Sequence, residues 1–313
     1  MIAFVFPGQG SQYIGMGKKI SEEYEEAKKV FSLAGQALHW DVAKLCFDGP
    51  QDRLNQTAYT QPAILTTSLA IYSVFKQVFP KTPQWVAGHS LGEYSALVAA
   101  GGIPLEEAIL LVAKRGDLMQ RAVPEGKGAM AAILGLNRSA VESICKEISA
   151  RGIVAPANYN TFEQIVIAGE THAVAEASKK AEEAGAKKVI PLSVSVPSHC
   201  ILMEPAALEL KDSIEKTSFY DLKIGFVNNA DAKELRWKEE IKASLIRQIS
   251  APLLWVDTVL FLMDKGVKTF VEIGPGRVLS GLIKRINRQV EVLSVEDPET
   301  LDRTVNHLRL ING

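Results

Sequence analysis

Cysteine, net charge and long apolar runs are all scarce in this chain. Three cysteines (Cys46, Cys145, Cys200) among 313 residues are too few and too scattered for a disulfide framework. None forms a C-x-x-C pair, so thioredoxin-like and zinc-ribbon chemistry lack their residues, and a reducing compartment fits. Lys plus Arg number 35 and Asp plus Glu 36, a net charge of −1 that supplies no general attraction to nucleic acid or to an anionic membrane. The most apolar interior stretch, Ser95 to Leu105, is broken by Gly101-Gly102 and Pro104 and is too short to span a bilayer. The opening Met-Ile-Ala-Phe-Val-Phe-Pro-Gly has no basic n-region and too short an apolar run for a signal peptide, so a cytoplasmic location is expected. Glycine-rich phosphate cradles are missing too. Gly8-Gln9-Gly10 has Tyr13 where the third glycine of G-x-G-x-x-G would stand, and Gly274-Pro275-Gly276 lacks the P-loop Lys and Ser/Thr.

What is present is a core: 47% of residues are apolar and 23% charged, enough for about two domains of ~150 residues. Apolar runs at 2–6, 85–87, 268–273 and 291–295 read as buried strands. They alternate with helical segments such as Glu93 to Ala100, Leu105 to Lys114 and Val278 to Ile286, which predicts an α/β fold with a parallel sheet covered on both faces. The middle of the chain reads differently. A strand at Gly128–Leu134 leads to a capping box, Ser139-Ala-Val-Glu142, and a helix ending near Gly152. Strands at 153–158 and 164–168 follow, with Tyr159-Asn160-Thr161 between them. A helix over 171–184 then stops at Gly185, and a last strand runs from Lys188 to Val194. This is β-α-β-β-α-β, the ferredoxin-like order. The expected organisation is a catalytic domain of residues 1–125 and 197–313 split by a ferredoxin-like α+β insert of residues 126–196.

Gly88-His89-Ser90-Leu91-Gly92 is G-x-S-x-G between a strand and a helix. A sharp strand-to-helix turn pushes the serine hydroxyl outward, and the helix N-terminus sets the Leu91 N–H beside developing negative charge. The bland alternative is a glycine-rich turn around an ordinary serine. A serine nucleophile needs a base, and the chain has five histidines. His39, His172 and His307 sit in amphipathic or helical contexts that suit surface or packing roles, and His89 adjoins Ser90 on a turn where neighbours point apart. His199 follows the last strand of the insert, at a junction where a cleft would lie, although a satisfied core histidine reads the same way. No acid between Ser90 and His199 has a distinguishing context, so a Ser–His dyad with the imidazole oriented by a backbone carbonyl fits better than a triad. Arg115, at the expected end of its helix, has two readings: a fork gripping a substrate carboxylate, or a solvated cation at a helix C-terminus, which the residues alone favour.

Seven segments stand out together: Phe6-Pro7-Gly8-Gln9-Gly10-Ser11-Gln12, Thr60-Gln61-Pro62-Ala63, Gly88-His89-Ser90-Leu91-Gly92-Glu93-Tyr94, Arg115-Gly116 with Met119-Gln120, Ala157-Asn158-Tyr159-Asn160, Val196-Pro197-Ser198-His199 and Val271-Glu272-Ile273-Gly274-Pro275-Gly276. In this order they resemble the malonyl-CoA:acyl carrier protein transacylases, the discrete acyltransferases of bacterial fatty-acid synthesis. The resemblance implies an α/β-hydrolase-like domain carrying a ferredoxin-like insert. It implies Ser90 as nucleophile, His199 as general base and acid, and the N–H groups of Gln9 and Leu91 as oxyanion hole. Arg115 would hold the malonyl carboxylate, the Gln248 carbonyl would orient His199, and Gln61 and Asn158 would line the pocket. A ping-pong transfer from malonyl-CoA to the phosphopantetheine thiol of acyl carrier protein follows, by a monomer with no metal and no tightly bound cofactor. Ser198 stands where malonyl-selective domains of large synthases often carry Phe; discrete bacterial enzymes have Pro-Ser-His, but Ser198 leaves room for methylmalonyl. A serine thioesterase or esterase on the same scaffold, a polyketide-pathway acyltransferase and a non-catalytic carrier-docking module are the alternatives.

Overall fold

Residues 1–192 and 196–312 are described by a computed structural model. The apolar runs pair as parallel strands. The larger sheet contains β1 (Ile2–Phe6), β2 (Trp85–Gly88), β7 (Gly225–Val227), β8 (Glu234–Leu235), β9 (Thr269–Ile273) and β10 (Glu291–Val295), in the order β10-β9-β1-β2-β7-β8. Every pairing is parallel except β7 with the short edge strand β8. Side chains alternate across the sheet. Phe4, Phe6, Val86, Phe226 and Val271 enter the core on one face, and Ala3, Val5, Trp85, Ala87 and Phe270 the core on the other. Both faces are buried, which is why these strands read as unbroken apolar runs.

The second sheet is built from β3 (Gly128–Leu134), β4 (Val154–Thr161), β5 (Gln164–Glu170) and β6 (Lys188–Pro191), antiparallel in the order β4-β5-β3-β6. Helices Arg138–Ile148 and Thr171–Glu183 pack on it, with Ile133, Ile144, Ile148, Ile165, Ile167 and Val174 in a shared core. This is the ferredoxin-like arrangement.

Local details differ from expectation for identifiable reasons. The helix at 138–148 is capped by Asn137, whose Oδ1 accepts the Ala140 N–H at 3.0 Å; Glu142 instead accepts from the Tyr159 hydroxyl at 2.7 Å. Tyr159-Asn160-Thr161 belongs to β4 and is not a connector, because β5 pairs with it through to Thr161. The last strand ends at Pro191, before Leu192; Ser193, Val194 and Ser195 lie outside the described residues.

The largest correction concerns the helix beginning at Leu105, which continues to Ala122. Gly116 does not stop it. A Cβ at Gly116 would lie 2.8 Å from the Thr57 carbonyl oxygen, so this glycine serves the close approach of the helix Thr57–Val78. Arg115 is therefore a mid-helix residue. No described helix is long and apolar enough to cross a membrane.

Gly116 supplies a stability test in which propensity and packing oppose each other. Alanine is favoured over glycine inside a helix by about 1 kcal/mol. The backbone contact at 2.8 Å reverses the sign. Gly116→Ala should lose about 1–3 kcal/mol, seen as a lower urea midpoint at unchanged m. A variant as stable as the parent, or more so, would contradict this packing.

Candidate active site

Ser90 stands just past β2 with φ +52°, a left-handed conformation that a non-glycine residue holds only when its surroundings impose it. Two glycines make room for the turn: a Cβ on Gly88 would lie 1.9 Å from the Gly92 carbonyl carbon, and one on Gly92 would lie 2.0 Å from the Phe6 oxygen. Polar groups then fix it. The Ser90 N–H donates to Asn229 Oδ1 at 2.7 Å, Asn229 Nδ2 donates to the Gly88 carbonyl at 2.8 Å, and Gln248 Nε2 donates to the Ser90 carbonyl at 2.9 Å. Both holders meet at Glu93, whose Oε1 accepts the Asn229 N–H and whose Oε2 accepts from Gln248 Nε2 at 2.7 Å. Burial pushes the Glu93 carboxyl up to about 8, against the pull of these two hydrogen bonds and of Arg115.

His199, in the segment beyond the last strand of the second sheet, meets Ser90. Its Nε2 lies 2.8 Å from Ser90 Oγ, and its Nδ1 lies 2.8 Å from the Gln248 carbonyl oxygen. A carbonyl only accepts, so Nδ1 carries the proton and Nε2 presents a lone pair to the serine hydroxyl. The ring is 3% exposed, and burial, followed by the charge of Arg115, lowers its pKa to about 3. It is neutral, and able to accept a proton, throughout the physiological range. The other histidines are occupied or remote. His89 turns to Asn160 Oδ1 at 2.9 Å, with its ring against Trp255; His172 faces the Arg151 carbonyl; His307 pairs with Glu291; His39 is exposed.

Arg115 is not the solvated helix-end cation that its local sequence favours. It is 1% exposed, and burial lowers its pKa. Nη1 donates to Gln61 Oε1 at 2.5 Å, and Nη2 donates to Gln248 Oε1 at 2.9 Å and to Ser90 Oγ at 3.1 Å. All three acceptors are neutral. Its Nε finds no hydrogen-bond partner, and no carboxylate lies within ion-pair distance among the described residues. Gln61 is braced in turn by donating to Thr57 Oγ1 at 2.9 Å.

These groups line a cavity of about 250 Å³ between the two sheets. Gln9, Gln61, Ser90, Leu91, Arg115 and His199 form one side, and Met130, Asn158 and Val166 of the second sheet close the other. Among the described residues the amide N–H groups of Gln9 and Leu91 meet no acceptor, and Asn158 Oδ1 is unpartnered. A hollow of about 1020 Å³ lined by Val123, Lys127, His172 and Leu208 contains none of these groups. Among the described residues no group of three or more His, Cys, Asp or Glu could hold a metal ion. All eight expected residues thus gather at one cavity or its frame. Asn229 and the side chains of Glu93 and Gln248 were not anticipated. For Asn229 the available signal was its place just beyond the end of a parallel strand, where sites collect in such sheets.

Residues 3–301 match the family described as "Acyl transferase domain". The malonyl CoA-acyl carrier protein transacylase of Bacillus subtilis is 45% identical over 309 residues, 98% of this chain and 97% of that protein. Among solved structures, a malonyl-transacylase in complex with its type II PKS acyl-carrier protein superposes with a TM-score of 0.96 at 45% identity, covering 98% of this chain and 99% of that one. The malonyl CoA-acyl carrier protein transacylase of Coxiella burnetii gives 0.96 at 44% identity, covering 98% and 97%. The likeness runs from end to end: this chain is an acyltransferase of the acyl transferase domain family and belongs with the malonyl CoA-acyl carrier protein transacylases.

Proposed function

We propose that this chain transfers a malonyl group from coenzyme A to the phosphopantetheine thiol of an acyl carrier protein in fatty-acid synthesis, by a ping-pong mechanism through an ester on Ser90. The observation that carries this reading is the Ser90 hydroxyl set between a neutral imidazole and a buried guanidinium that has no carboxylate partner among the described residues. A buried cation bonded only to neutral acceptors is costly on its own, and an anionic acyl group would complete it through two parallel charge-assisted bonds.

His199 Nε2 takes the hydroxyl proton as Ser90 Oγ adds to the thioester carbonyl. The tetrahedral oxyanion accepts from the N–H groups of Leu91 and Gln9. Its collapse breaks the C–S bond, and the coenzyme A thiolate leaves with the proton from His199. In the second half the pantetheine thiol gives its proton to His199 and adds to the ester carbonyl, and Ser90 Oγ departs with that proton. Donor and product are both pantetheine thioesters, so transfer runs freely in either direction. Gln61 holds Arg115, and the Gln248 carbonyl holds the His199 tautomer. A polyketide role has one observation in its favour, the likeness to the malonyl-transacylase solved with a type II PKS acyl-carrier protein. Ser198 lines the cavity.

Incubation with malonyl-CoA should add one malonyl group to the intact protein, and Ser90→Ala should abolish the addition and lower transfer at least ~1000-fold. A thioesterase would instead release free malonate without thiol and leave no lasting acyl-enzyme. Arg115→Ala should lose malonyl transfer while gaining relative activity on acetyl-CoA; retained malonyl preference would refute the carboxylate role. The pH dependence follows from His199. A base whose pKa is lowered to about 3 stays neutral as pH falls, so kcat/KM for Ser90 acylation should hold below pH 6.5, the ordinary imidazole value, and fail only towards the acid extreme. Removing the Arg115 charge should shift that acid limb upward, and a limb at 6.5 in the parent enzyme would show that His199 is solvated in solution.

A further inference from the structure

We infer that the substrate's carboxylate also releases the nucleophile: by drawing off an Arg115 N–H that otherwise rests on Ser90 Oγ, it makes the choice of acyl group in the rate of acylation as well as in binding. This rests on the reading that Arg115 receives the malonyl carboxylate.

The argument is a count of donors. Ser90 Oγ has one hydrogen and two lone pairs. The hydrogen points to His199 Nε2 at 2.8 Å, and Arg115 Nη2 donates to the oxygen at 3.1 Å. Attack on a carbonyl needs a lone pair aimed at carbon, and a charged N–H on the same oxygen withdraws the density that attack uses. Nη2 has two N–H groups, and both are engaged, one by Gln248 Oε1 and one by Ser90 Oγ. A carboxylate gripped by two parallel bonds must take an Nη2 N–H whether it uses the Nη1/Nη2 edge or the Nε/Nη2 edge. Gln248 cannot readily yield, since its Nε2 is tied to both the Ser90 carbonyl and Glu93. The bond to Ser90, the longest of the three Arg115 makes, is the one that gives way.

A second effect runs the same way. The Arg115 charge disfavours proton uptake by His199, so pairing that charge with a carboxylate restores basicity as the nucleophile is uncovered. An acetyl thioester does neither. It leaves the guanidinium on Ser90 Oγ and reacts slowly even when bound.

The test divides the malonyl group into two pieces. Wild-type protein is saturated with acetyl-CoA, formate is added, and formation of acetyl-Ser90 is followed by rapid quenching and intact mass, with sodium chloride as the ionic-strength control. Formate should raise the limiting acetylation rate saturably, roughly three- to tenfold, the worth of releasing one hydrogen bond, while competing with malonyl-CoA. The gain should vanish in Arg115→Ala, whose own limiting acetylation rate should exceed that of the parent. If formate competes with malonyl-CoA but leaves acetylation unchanged or slower, the inference is overturned and the carboxylate reading stands. If formate affects neither reaction, the inference also falls. The carboxylate reading is then judged separately, by whether Arg115→Ala keeps its malonyl preference.

Discussion

The left-handed backbone of Ser90 is the constraint on which the site depends. Such a conformation costs a non-glycine residue about 1–2 kcal/mol, and here it is held by hydrogen bonds on both sides of the residue. Asn229 takes the N–H, Gln248 takes the carbonyl, and Glu93 joins the two holders. The turn so fixed exposes Oγ and brings the Leu91 N–H to the start of the helix Gly92–Ala99. Gln248 extends the frame further. Its amide oxygen accepts from Arg115 and its main-chain carbonyl meets His199, so one residue touches all three groups of the proposed mechanism. Networks of this kind act as units, and the positions of nucleophile, base and guanidinium are not independent.

Electrostatics adds a second coupling. Arg115 and Glu93 are both buried and meet through Gln248; burial raises the Glu93 carboxyl to about 8, so it does not supply Arg115 with a paired anion at neutral pH. A direct ion pair would stabilise the empty protein better and leave the guanidinium spent. Neutral acceptors keep the cation in place while its capacity for a carboxylate remains. Burial first, and then the same unspent charge, lower the His199 pKa, so the environment of the proposed base is set partly by the group proposed to receive the substrate.

The parallel sheet was legible because strands buried on both faces leave continuous apolar runs, and the second sheet because its helices carry ordinary stop signals such as Gly185, which has φ +92°. His199 could be reached by elimination among five histidines. Arg115 could not be placed from its own neighbourhood. Gly116 looks like a helix end, and only the backbone of Thr57 explains why a glycine stands there. Asn137 outcompeted the Ser139–Glu142 capping box because Glu142 has a tertiary partner in Tyr159. Asn229 follows a strand of three residues, too short to show a period, and the Gln248 side chain gains its meaning from residues far away in the chain. Local pattern carried the elements; long-range hydrogen bonds carried the frame, and these have no local signature.

The second sheet explains how a hydrolase-like turn could serve transfer. Ser90, His199 and the free N–H groups would suit ester hydrolysis equally well, so the proposed acyl-enzyme would have to be kept from water by what surrounds it. Met130 and Val166 place apolar side chains in the wall of a cavity of about 250 Å³, where Gln61 and His89 are held in fixed hydrogen bonds. A thin thiol-bearing arm can displace solvent along such a wall, whereas water gains no partner from the apolar side chains. On this reading the insert does not bring a second chemistry. It lowers the competition from water, and the strained serine beneath it then waits for a thiol.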